Sequence, residues 1–309
     1  MRVLSQSFFN DLKEGSGLLC PLLERIKQDH TLMLAIRKDY INIYYRGGNL
    51  LRIKELKENY YSAFFDKKYN TNQKSIPDLP MKIESQGDTN KWVKSFSCLK
   101  EIMDLYLSKN SKPEREFQQL IARENNVSTI SNESEYFISD IEFADSEIGA
   151  RFDILSIQWL ASQRKNGNKC RAALMEIKYG DGALSGTSGL LKHLKDINTL
   201  ISDDSRYNEL LATMEAQFNL LDHLGLLHYR QCSNETKIKL NVHDKPEVIF
   251  ILANHNPRST KLKRILENTE IDLLVKDLRF DLRFFVASFA GYGLHSNCML
   301  SLNQFRKLL

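Results

Sequence analysis

The chain lacks most of the signals that mark the commoner enzyme classes. None of its five cysteines (Cys20, Cys98, Cys170, Cys232 and Cys298) belongs to a Cys-x-x-Cys pair, and its seven histidines are scattered, which leaves no zinc site to propose. An odd number of scattered thiols also argues against a disulfide framework and suits a reducing compartment, so buried small apolar residues are the expectation for all five. No apolar run can span a bilayer, and the opening Met-Arg-Val-Leu-Ser-Gln-Ser-Phe-Phe-Asn-Asp holds no signal-peptide core. A cytoplasmic protein with no membrane partner is the expectation. There is no Gly-x-Ser-x-Gly turn for a serine nucleophile. The glycines after Tyr179 lack the Gly-Lys-Ser/Thr ending of a nucleotide-binding loop, although a loop entering a helix still offers N–H groups to a phosphate. A net charge of +4 permits a polyanionic partner without demanding one.

What is present is an ordinary globular composition over 309 residues, 42% hydrophobic and 27% charged, with room for one or two domains. Residues 1–30 carry helical spacing broken at Gly15 and Gly17. From Thr31 the period changes to alternation, giving a three-stranded antiparallel meander over 31–53. Residues 54–65 fit either a short helix or a fourth strand. Residues 66–90 are polar and contain Pro77, Pro80 and Gly87, which predicts a surface linker. The expected organisation is therefore an N-terminal α+β accessory module at 1–65, a linker at 66–90 and an α/β domain at 91–309.

In that second domain, Lys91–Leu107 has helical spacing, and a second helix starts near Pro113, with Glu116 on the same face as Leu120. A strand follows at 136–143, carrying Asp140 and Glu142, which are alternative acids but are expected to be solvated at a sheet edge. Further helices are expected at 188–201, 207–227 and 262–268. Further strands are expected at 248–253, followed by a turn at 254–257, and at 284–289. Strands alternating with helices in this way predict an α/β core.

The chemistry concentrates at 151–178. Arg151-Phe-Asp-Ile-Leu-Ser-Ile and Cys170-Arg-Ala-Ala-Leu-Met-Glu-Ile-Lys178 read as neighbouring antiparallel strands around a polar turn. Asp153 interrupts the first apolar run. Glu176 and Lys178 end the second and point the same way, because strand side chains alternate. Two carboxylates and an amine converging in a core are costly to bury unless a cation neutralises the acids. Oxygen ligands of this kind, with the carbonyl of Ile177 as a further one, suit a hard divalent ion. On the helix after this hairpin, Lys192, His193 and Lys195 could meet a nucleic-acid backbone, although a solvated outer face explains them equally well.

The pattern Asp153, then Glu176-Ile177-Lys178 on the next strand, preceded by a helix with Glu116, resembles the PD-(D/E)XK nuclease superfamily over about Lys112 to Leu200. It departs from that pattern in having Phe152 where a proline usually precedes the aspartate. The resemblance implies a restriction-endonuclease-like mixed sheet flanked by helices. It also implies a Mg²⁺-dependent deoxyribonuclease, with Mn²⁺ able to substitute. Asp153 and Glu176 would hold the metal, with Glu116 and the Ile177 carbonyl completing its shell, and Lys178 would position the attacking water. DNA is the expected partner, RNA the weaker alternative, and a homodimer is compatible with the family. Prokaryotic defence or DNA repair would be the setting. The alternative from another class is a non-catalytic nuclease-fold module that binds nucleic acid or protein.

Overall fold

The structure is a computed structural model that describes residues 3–71, 74–129, 131–185, 189–229, 237–254, 256, 258–287 and 291–309. Cys232, parts of the expected turn at 254–257, the last residues of the expected strand at 284–289 and the start of the expected helix at 188 lie outside the described residues. The protein is mixed α/β, with two five-stranded sheets, one antiparallel and one mixed. It divides into two compact units: residues up to Gln119 with Leu220–Leu226, and Leu120–Asn219 with Leu227–Leu309.

The first unit begins with α1 (Gln6–Lys13), whose N-cap Ser5 hydroxyl accepts from the amide of Phe8, and α2 (Cys20–Gln28), which has proline in its first turn. The meander follows as β1 (Leu32–Ile36), β2 (Tyr40–Tyr45) and β3 (Gly48–Lys57). The ambiguous stretch 54–65 is strand: it forms the end of β3, a hairpin and β4 (Tyr60–Phe64). The reason is alternation. Leu51, Ile53, Tyr61 and Ala63 are buried on one face, while Arg52, Lys54 and Phe64 are exposed on the other. Between β2 and β3 the turn needs glycine: Gly47 has φ +70° and a Cβ there would lie 2.5 Å from Arg115. The side chain of Gln119 secures the turn, accepting from Gly47 N at 2.7 Å and donating to the carbonyl of Thr31 at 2.8 Å.

The polar segment 66–90 is not a linker. It holds the buried Tyr69 and β5 (Lys82–Ile83), which pairs with β4. It then enters α3 (Gln86–Lys109) at the Ser85 cap, five residues earlier than expected. Trp92 Nε1 donates to the Pro80 carbonyl at 2.8 Å, so backbone hydrogen bonding anchors a stretch that hydropathy alone marks as surface. The first unit therefore continues well past residue 65, and α4 (Pro113–Asn126) contains the division at 119/120.

The second unit is built on a sheet in the order β10-β9-β8-β7-β6. β6 (Tyr136–Asp145), β7 (Ala150–Gln158) and β8 (Arg171–Tyr179) form an antiparallel meander. β9 (Glu247–Ala253) and β10 (Asp281–Val286) then add parallel to β8. Every residue of β9 is buried, as expected of a central strand covered on both faces. Between β8 and β9 run α5 (Leu190–Ile201) and α6 (Asp204–His223). Before β10 come α7 (Thr260–Leu266) and α8 (Thr269–Lys276), the latter unforeseen. α9 (Leu302–Arg306) closes the chain behind a capping box at Ser301.

Two expectations need correction. Asp140 is not solvated at the sheet edge but fully buried. A bulge between Ile138 and Asp140 turns it inward, where it accepts from Gln217 Nε2 and from the amide of Ile141, each at 2.8 Å. Of the four described cysteines only Cys170 is buried. Burial pushes its thiol up to about 12, which makes it inert.

Candidate active site

The geometry of 151–178 follows from strand register. β7 and β8 pair Ile154 with Met175 and Leu155 with Leu174, so one further step brings Asp153 alongside Glu176. The two halves of the pattern meet through the backbone: Asp153 Oδ2 accepts from the amide of Ile177, the middle residue of the triplet, at 2.8 Å. Glu176 and Lys178 are 2% and 4% exposed. The ammonium of Lys178 lies 3.5 Å from Glu176 Oε2, and His193 Nδ1 on α5 lies 3.1 Å from the same oxygen. Glu176, Lys178 and His193 thus gather at the C-terminal end of a parallel strand, with Asp153 tied to the backbone between the first two; there Lys178 is level with Leu252 of β9 and Gly180 (φ +66°) turns the chain away. The carboxyl ends of parallel strands are where open α/β sheets place their ligands.

Burying a carboxylate and an ammonium here opposes folding unless each is well satisfied. Both contacts to Glu176 fall on Oε2. Its Oε1 has no hydrogen bond among the described residues, which leaves acceptor capacity for something else.

Sequence reasoning treated His193 as a contact to phosphate or a solvated residue. It belongs instead with Glu176. The signal was available: Leu190, Leu194 and Ile197 are buried, and position 193 lies three residues after 190 and four before 197, on the flank of that stripe. Lys192 and Lys195 are exposed on α5, paired with Asp196 at 2.6 Å and Glu270 at 2.5 Å respectively. Glu116 belongs to the first unit, where its carboxylate accepts from Arg46 Nη2 at 3.0 Å. Glu142 stands on β6 in left-handed backbone (φ +50°). The pairs Ile141–Ile154 and Phe143–Phe152 bracket it, so its position falls opposite Asp153.

Among the described residues no three His, Cys, Asp or Glu side chains are gathered as an ion cage. The donor chemistry of Asp153, Glu176 and the Ile177 carbonyl nevertheless fits a hard cation. Magnesium is ordinarily held by one or two carboxylates, with waters and substrate phosphates filling the remaining positions. No helix among the described residues is long and apolar enough to cross a membrane. Comparisons with protein-family models, with curated proteins and with solved structures find no match to this chain.

Proposed function

We propose that the second unit is a metal-dependent nuclease of the PD-(D/E)XK kind, with the restriction-endonuclease-like form of the α/β fold, acting on DNA phosphodiester bonds. The observation that carries this reading is the hydrogen bond from Ile177 N to Asp153. It joins an aspartate on one strand to a Glu-x-Lys triplet on the next, with Glu176 and Lys178 both nearly inaccessible. A structural ion pair would be cheaper at the surface, so keeping this one inside needs a reason.

Asp153 and Glu176, with the Ile177 carbonyl, would hold Mg²⁺ or Mn²⁺. A bound divalent cation would supply polarisation of the scissile phosphate and a coordinated water that loses its proton more readily than bulk water. Lys178 donates from its ammonium to the attacking water or to the phosphoryl oxygen that gains charge. His193, 3.1 Å from Oε2 of Glu176, would steady that carboxylate. Glu116, on the first unit, accepts from Arg46.

The deciding experiment incubates purified protein with plasmid, oligodeoxynucleotide and RNA substrates side by side in Mg²⁺ or Mn²⁺. Metal-dependent cutting of DNA that disappears in Asp153→Ala and Lys178→Ala is expected. Nucleic-acid binding that survives both changes, with no cutting under either metal, would overturn the enzyme reading in favour of a binding module.

A further inference from the structure

The first unit carries a feature that the nuclease reading does not use. On the outer face of its sheet, β3, β4 and β5 present cations and aromatic rings in alternation. Strand register sets Arg52 across from Phe64, Lys54 across from Ser62, Ser62 across from Lys82, and Lys57 across from Tyr60. The Arg52 guanidinium lies 4.8 Å from the centre of the Tyr40 ring. The Lys57 and Lys82 ammoniums lie 5.2 Å and 5.3 Å from the centre of the Tyr60 ring. Of the five large apolar side chains exposed among the described residues, Leu56, Phe64 and Met81 belong to this region. Residues 32–84 hold ten Lys or Arg against six Asp or Glu, which equals the whole chain's net +4. The acids near this face are Asp39, paired with Lys54 at 3.0 Å, Asp66, paired with Lys68 at 2.7 Å and within reach of the Arg52 charge, and Glu58 and Glu84 at its margins.

We propose that this face binds single-stranded nucleic acid. Flat sheet surfaces with rings at alternate positions accept unpaired bases by stacking, and the neighbouring cations neutralise the phosphates. A duplex hides the faces of its bases and would leave Phe64 and Tyr60 without a role. An acidic peptide would use the cations but not the rings. The proposal does not rest on the activity proposed for the second unit.

The test uses the full chain in EDTA and fluorescence anisotropy with labelled dT20, rU20, an abasic 20-mer and poly-glutamate. Phe64→Leu, which keeps apolar bulk and removes the ring, and Tyr60→Ala are each expected to weaken dT20 binding about tenfold. Neither should change binding of the abasic strand. Arg52→Gln with Lys82→Gln should weaken both strands and reduce the salt slope by about 0.7 per cation removed. The rU20 arm reads preference between DNA and RNA, and binding of either supports the proposal. Ring variants that bind dT20 like the parent would overturn it, as would poly-glutamate binding as tightly as dT20. Binding lost in Asp153→Asn/Glu176→Gln but kept in the sheet-face variants would assign the strand to the second unit and overturn it too. Failure of DNA cutting with dT20 binding intact would count against the nuclease alone.

Discussion

The two ends of β8 set the same problem and meet it differently. At the start of the strand, a polar row crosses the whole sheet with a contribution from every strand. Tyr136 of β6 and Gln158 of β7 donate to Glu247 Oε2 at 2.7 and 3.2 Å. Arg171 of β8 donates to Glu247 Oε1 at 2.5 Å, to Gln158 Oε1 at 2.5 Å and to Asp281 of β10 at 2.9 Å. Both oxygens of that buried carboxylate are occupied. At the other end, five residues on, Glu176 is as deeply buried but has its two contacts on a single oxygen, one of them at 3.5 Å. A saturated buried charge is a structural device. An undersaturated one retains capacity for a ligand, and this contrast separates the candidate site from the other charge cluster in the same sheet.

The contrast is sharpest where a substitution should affect one property and spare the other. Lys178→Met replaces a buried ammonium by an apolar chain of similar length. Cleavage in Mg²⁺ is expected to fall by about 10²–10³-fold, as when a group that stabilises developing charge is removed. Lys178→Met alone leaves Glu176 buried without its cation and should lower the melting temperature, whereas Glu176→Met/Lys178→Met exchanges the whole pair for hydrocarbon and should hold or raise it. A double variant that melts much earlier than the parent would make the pair structural and erase the distinction between the two ends.

At the saturated end the expectation reverses. Glu247→Ala leaves Tyr136, Gln158 and Arg171 facing an empty position and should cost about 3–5 kcal/mol of stability, read by calorimetry or denaturant unfolding. Protein that remains folded should keep the parent's level of the proposed metal-dependent cleavage. Loss of activity without loss of stability would show that the row communicates with the site rather than merely closing the sheet.

A smaller effect is expected at His193. Side chains that steady the carboxylate proposed to bind the metal tune affinity rather than create it, so losing the 3.1 Å contact in His193→Ala should weaken Mn²⁺ binding by about 10–100-fold, measured by paramagnetic resonance titration. Thermal stability should change little, since His193 is a quarter exposed. Unchanged Mn²⁺ affinity would reduce the 3.1 Å contact to a helix side chain that happens to lie nearby.

Much of this arrangement could be read from residues, and the parts that could not share a cause. Alternation placed the meander, and uninterrupted apolar runs located β8, β9 and part of β10. Asp153 within an apolar strand and Glu176 and Lys178 ending the next marked out positions that the fold does bring together. Local pattern failed wherever a distant partner decides burial. The linker expected at 66–90 is anchored by β4 and Trp92, and Asp140 is turned inward by a bulge with no composition signal. Glu116 accepts from Arg46, seventy residues away, a partner that helical spacing does not reveal. The polar row at the start of the strands was invisible for the same reason. Its members look like unremarkable strand-end polar residues until register aligns them.

The same row makes the smallest of these effects, an acid dependence of stability. Burial alone would raise the Asp281 carboxyl. The hydrogen bond from Arg171 and the charges of Lys245, Arg171 and Arg283 outweigh it and hold the group below the ordinary carboxylate range. A carboxyl whose folded value is depressed contributes stability that is complete above its unfolded value of about 3.9 and is lost as pH falls further. Stability measured by urea unfolding should therefore drop below about pH 4. Asp281→Asn should show a shallower acid limb and lower stability at neutral pH. Asp29, Asp66 and Asp88 of the first unit are depressed as well and contribute to the same limb, so the difference between parent and variant is the quantity to read. Curves that stay parallel from neutral pH down would mean that Glu247 and Gln158 hold Arg171 without Asp281. The row would then end at β9 rather than cross the sheet.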